Sequence, residues 1–134
     1  MIKRYLAAYL GAGVAIAGLD AVWLTTTNEV LYRAALGALL APTFRPVPAI
    51  AFYLLYIVGV VAFAVAPALT TDRWRDAAWR GALFGFICYA TYDLTNQATL
   101  VVWRTSLTVI DMSWGAFLTT VGASVGFFVA RRVR

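Results

Sequence analysis

The sequence predicts an all-α, polytopic membrane protein: a bundle of four transmembrane helices with a short interfacial helix after the first. Three observations carry that reading. The chain has 134 residues, of which 63% are hydrophobic and only 13% charged, whereas soluble domains carry about 25% charged residues. Four apolar runs can be drawn, at about residues 5–27, 47–69, 81–103 and 107–130. Each has at least the ~20 residues that cross a hydrocarbon core. Finally, the basic residues are unevenly divided among the ends of those runs. Little chain is left over, so residues 1–134 read as a single transmembrane domain.

The first run opens with Lys3 and Arg4, and Ala15-Ile16-Ala17 has the small residues of a cleavage motif. A signal peptide has that form, but apolar character continues to Trp23 and Leu24, so the run is expected to stay as a helix. Gly11, Gly13, Ala17 and Gly18 allow close approach of a neighbour. Asn28 to Leu40 is less apolar and carries Glu29, Tyr32 and Arg33. It is expected to form a short helix on the outer surface, with an extension of helix one as the alternative.

Pro42, Pro46 and Pro48 make the next segment a turn that cannot continue a helix. The second run is uncharged, with Tyr53 and Tyr56 near its start expected in an aromatic belt. The loop from Thr70 to Arg80 places Trp74 and Trp79 among arginines, as interfacial anchors or a docking surface. The third run begins Gly81-x-x-x-Gly85 and the fourth holds Gly122-x-x-x-Gly126. Small residues four apart are a helix-contact signature, serving either the bundle or a homo-oligomer.

With four spans, Lys3, Arg4, Arg73, Arg75, Arg80, Arg131, Arg132 and Arg134 lie on one side, and Arg33, Arg45 and Arg104 on the other. This asymmetry puts both termini in the cytoplasm. The formal charge of +5 is thus a topology signal, and no nucleic-acid partner is expected. The chain has no histidine and one cysteine, Cys88. That removes the commonest metal ligand and the usual general base and excludes an internal disulfide. No lysine lies inside a run, which excludes a retinal Schiff base. No metal or cofactor is expected, and no conventional catalytic motif is present.

Three acidic residues interrupt the apolar runs: Asp20, Asp93 and Asp111. A carboxylate at such depth costs about 2.5–3.5 kcal/mol on insertion scales and usually faces a bundle interior or a cavity. At 1.5 Å per residue, Asp20 and Asp93 lie roughly 10 and 15 Å below the outer surface, and Asp111 enters from the same side. Asp20 and Asp93 are therefore expected to share a pocket. Tyr89, Asp93 and Asn96 share a helix face, with Tyr92 four residues from Asn96, and Trp114 follows Asp111 by three. Asp20, Tyr89, Tyr92, Asp93, Asn96, Asp111 and Trp114 form the candidate ligand-binding set, with Trp23 as a further wall. The plainer alternatives are a helix N-cap for Asp111 and an ion pair of Asp20 with Arg33 or Arg104.

The segments Leu19-Asp20-Ala-Val-Trp23-Leu24, Leu31-Tyr32-Arg33, Tyr89-Ala-Thr-Tyr-Asp-Leu-Thr-Asn96 and Asp111-Met-Ser-Trp-Gly115 together resemble a family of small bacterial membrane proteins, domain of unknown function 2177. The resemblance covers nearly the whole chain. It implies the four-helix architecture and the acidic site, and supplies no reaction. The functional expectation is a small inner-membrane protein whose outward polar pocket binds a membrane lipid or small amphiphile. The alternatives are a structural subunit of a larger membrane complex and a proton- or cation-coupled transporter acting as an oligomer.

Overall fold

The computed structural model describes residues 1–133. Among these residues the chain forms four helices and no strand. Helix α1 spans Ile2–Leu39, α2 Pro46–Thr71, α3 Trp74–Thr99 and α4 Thr105–Arg131. The termini and the α2–α3 turn share one end of the bundle, called here the terminal face. The Leu40–Arg45 loop and the α3–α4 turn form the distal face.

Helices α1, α2 and α4 are long and apolar enough to cross a membrane. Helix α3 has 26 residues, about 39 Å at 1.5 Å per residue, so its length suffices. Its hydropathy is lowered by Asp93, Asn96 and Gln97, which follow Tyr89 and Tyr92. The third expected run is therefore a helix of spanning length, diluted by the polar groups that mark the candidate site.

The segment after residue 27 is helical but continuous with α1, so the expected separate interfacial helix is corrected to the alternative, an extension of helix one. The Asn28 N–H donates to the Leu24 carbonyl, and the backbone widens to a π-helix over Asn28–Arg33. Gly37, at φ +49°, then ends regular helix in a conformation that L side chains rarely adopt. Leu36 packs with Trp103 and Leu107, so this extension lies over the start of α4. A second π-helical turn, Val61–Val65, sits in α2, where the Ala66 N–H reaches back five residues to Val61. Pro67 follows. Its ring would collide with a carbonyl four residues earlier in a regular helix, and the widened turn provides the room.

Helix α4 is the centre of the bundle, packed mainly against α3 and α1. The contacts use small residues. A Cβ on Gly85 would collide with the Gly115 carbonyl oxygen and the Thr119 hydroxyl, and one on Gly126 would meet the Ala8 carbonyl oxygen at 2.9 Å. Both glycine motifs are thus consumed within the bundle. At the terminal face Asp72 pairs with Arg131 at 3.0 Å. The Thr71 hydroxyl donates to Asp76 at 2.6 Å, which holds that exposed carboxyl below the usual range. Trp74 and Trp79 are exposed there, with the Arg80 guanidinium 4.9 Å from the Trp79 ring.

Candidate functional site

Each of the three acidic residues continues a small-residue stripe. The buried positions of α1 as far as Thr27 are Ala8, Ala12, Ile16 and Asp20, a strict four-residue repeat along one face. In α3 the buried positions are Ala77, Gly81, Gly85 and Asp93, with Tyr89 completing the same repeat. In α4, Asp111 and Gly115 precede Gly122 and Gly126 among the buried residues. Toward the terminal face these stripes are Ala and Gly, and the helices touch. Toward the distal face they turn acidic and aromatic.

A hydrogen-bond network fills part of that space. Asp20 accepts from the Tyr53 hydroxyl of α2 and from the Trp114 indole of α4 at 3.0 Å. Asp111 accepts from the Tyr32 hydroxyl, which itself accepts from the Trp23 indole at 2.9 Å. The two indoles stack, with centroids 4.3 Å apart and planes 7° from parallel. Tyr32 reaches Asp111 because it lies on the π-helical turn, where the wider backbone resets which face a residue occupies.

Asp93 is different. It is 0% exposed, it adjoins Asp111, and no donor from the rest of the protein reaches either of its side-chain oxygens. Buried polar groups are nearly always paired, so this carboxyl calls for an explanation in terms of a proton or a ligand.

A cavity of about 320 Å³ opens beside the network, lined by residues of all four helices. Asp20 and Asp111 supply its carboxyls, and Tyr53, Tyr89, Tyr92 and Trp114 much of its wall. Leu24, Phe52 and Tyr92 are its most exposed lining residues, at 42%, 49% and 55%, and form the mouth. A larger cleft of about 560 Å³ lies between α1 and α2 and is lined by Tyr5, Tyr9 and aliphatic residues. It has no acidic or basic lining residue, as a lipid-facing crease would, and it is remote from the carboxyls.

Of the predicted set, Asp20, Tyr89, Tyr92, Asp111 and Trp114 line the cavity. Asp93 stands behind Asp111, outside the lining, and Asn96 is not among the lining residues either. Asn96 sits in the last turn of α3, and its carbonyl accepts from the Leu100 N–H at 2.8 Å, so extending the Tyr89–Asp93 face to residue 96 carries it past the cavity. The expected sharing between Asp20 and Asp93 is also corrected: Asp93 adjoins Asp111, because α3 packs most extensively against α4.

Asp111 is not an N-cap, since α4 begins at Thr105 with Arg104 as its cap residue. Asp20 is held by Tyr53 and Trp114, while Arg33 pairs with Glu29 at 3.1 Å on the surface. Tyr32 and Tyr53 also line the cavity, beyond the residues the sequence singles out. A tyrosine near a membrane interface reads as part of an aromatic belt, and only the fold shows these two hydroxyls turned inward.

No group of three or more acidic or cysteine side chains among the described residues could hold a metal ion. No curated protein and no solved structure matches the chain. Residues 5–128 match the family described as "Predicted membrane protein (DUF2177)". That match spans nearly all of the sequence, and the protein belongs to this family of predicted membrane proteins of unknown function.

Proposed function

We propose that this is a small bacterial inner-membrane protein, with both termini cytoplasmic, whose distal-half cavity binds the polar end of a lipid or small amphiphile. The observation that carries the reading is convergence: five residues chosen from three separated sequence segments line one cavity. Small-molecule sites commonly combine apolar and aromatic walls with a few convergent polar groups, and this cavity has that composition. The alternative of a structural subunit needs glycine grooves free for docking, and here Gly85, Gly115, Gly122 and Gly126 are occupied by neighbouring helices. The unpartnered carboxyl of Asp93 favours one second reading, a proton- or cation-coupled carrier acting as an oligomer.

Native mass spectrometry of the protein extracted in mild non-ionic detergent tests the binding reading. A small adduct of defined mass is expected on the wild type and depleted in Tyr53→Phe and Asp111→Asn. A wild type free of adducts across several extraction conditions and added lipid mixtures would overturn it.

A further inference from the structure

The cavity's chemistry narrows the class of its occupant. Its donors are largely spent on its own carboxyls: Tyr53 and Trp114 donate to Asp20, and Tyr32 donates to Asp111. The Trp23 indole is in turn spent on the Tyr32 hydroxyl. An anionic group entering the cavity would meet two carboxyls and few free donors. No lysine or arginine lines the cavity among the described residues, and the nearby basic residue Arg33 is paired with Glu29 on the surface. The acidic groups therefore have hydrogen bonds but no counter-charge.

Behind Asp111, the fully buried Asp93 adds a third carboxyl with both oxygens unpartnered. That carboxyl needs a positive partner, either a proton shared with Asp111 or a cation at the site, since removing a carboxylate from water without one costs several kcal/mol. The remaining walls are aromatic. Phe52, Tyr53, Tyr89, Tyr92 and Trp114 line the cavity, and aromatic faces attract cations, best of all quaternary ammonium groups.

Resting on the binding reading above, we propose that the occupant is an organic cation, an ammonium group carrying an apolar substituent. The charged nitrogen sits between Asp20 and Asp111, and the apolar part leaves through the mouth between Leu24, Phe52 and Tyr92.

Three probes of nearly one shape test the charge. Benzyltrimethylammonium is the cation, neopentylbenzene its neutral carbon isostere, and benzylphosphonate the anion. Each is titrated into the full-length protein in dodecylmaltoside while tryptophan fluorescence, which includes Trp23 and Trp114, is followed. The expected result is saturable quenching by the cation, with the other two binding at least tenfold more weakly. Asp111→Asn should weaken the cation at least tenfold without changing helicity. Because the wild-type comparison needs no variant, a poorly folding Asp111→Asn leaves the test intact.

Dihexanoylphosphatidylcholine as competitor identifies the source. Displacement assigns the ammonium to a lipid headgroup, and failure to displace assigns it to a free amine; both keep the cation. Equal or tighter binding of the neutral or anionic probe overturns the cation while leaving the cavity a binding site. No saturable change with any of the three overturns both.

Discussion

The indole rings of Trp23 and Trp114 lie face to face, 4.3 Å apart at their centroids, and each is tied to a carboxyl on the other's helix. Trp114 of α4 donates to Asp20 of α1. Trp23 of α1 donates to Tyr32, which donates to Asp111 of α4. The stack thus cross-links the two helices through a reciprocal pair of acidic anchors. It joins the two helices at the distal end, beyond their Ala and Gly contacts. Stacked aromatic pairs contribute about 0.5–1.5 kcal/mol beyond their buried area, and hydrogen bonds to charged groups about 1.5–3 kcal/mol.

Tyr32→Phe breaks one arm of that cross-link. It removes the donor to Asp111 and the acceptor of the Trp23 indole while keeping the ring. The destabilisation is expected at about 1–3 kcal/mol, the cost of leaving a buried polar partner unsatisfied. The Trp23 emission should shift as its N–H loses its partner. Thermal unfolding in detergent and fluorescence check both, and an unchanged spectrum with unchanged stability would show that the network does not hold the helices.

Gly85→Ala tests the other half of the bundle. The new methyl would collide with the Gly115 carbonyl oxygen, and that atom belongs to backbone and cannot rotate away. Separation of α3 from α4 is required, at about 1–3 kcal/mol for overpacking, and Gly85→Leu should prevent assembly outright. Gly18→Ala, whose Cβ meets nothing within 4 Å, is the matched control and should be neutral. Equal stabilities for Gly85→Ala and Gly18→Ala would refute the close contact.

Much of this site is legible in the sequence, and the limits have physical causes. Asp20, Asp93 and Asp111 announce themselves because charge inside an apolar run is costly, and Gly115, four residues after Asp111, places that aspartate on a contact face. Depth follows from the helical rise. Lateral arrangement does not: nothing along the chain says that α4 is central, so the pairing of Asp93 with Asp111 rather than Asp20 emerges only from the packing. Tyr32 is hidden for a local reason. The π-helical turn changes its direction, and a regular helical projection of residues 28–33 puts it elsewhere.

The arrangement of basic residues predicts opposite exposure of positions 75 and 104, both exposed in the fold. In a Cys88→Ser background, Arg75→Cys should react with a membrane-impermeant maleimide only after the cytoplasmic side is opened. Arg104→Cys should react in intact cells once the outer membrane is permeabilised. Labelling of both from one side would refute the four-span topology.

Asp93 offers the sharpest test of what the acidic site does. Its two oxygens are buried and lack any donor, and its neighbour Asp111 accepts from Tyr32 on one oxygen. One proton between the two carboxyls supplies the missing donor, and two adjacent carboxylates in a low-dielectric interior are unfavourable together. The empty site is therefore expected to hold that proton and to release it when an ammonium group arrives, leaving the local charge unchanged. Calorimetry in two buffers of different ionisation enthalpy should count about one proton released per benzyltrimethylammonium bound, in keeping with that linkage. Asp93→Asn keeps the shape and brings an amide donor to Asp111. It should fold at least as stably as the wild type, lose the protonated-carboxyl infrared band, and bind the cation without proton release. Unfolding of Asp93→Asn would make this aspartate structural, and proton release unchanged from wild type would place the exchanged proton elsewhere.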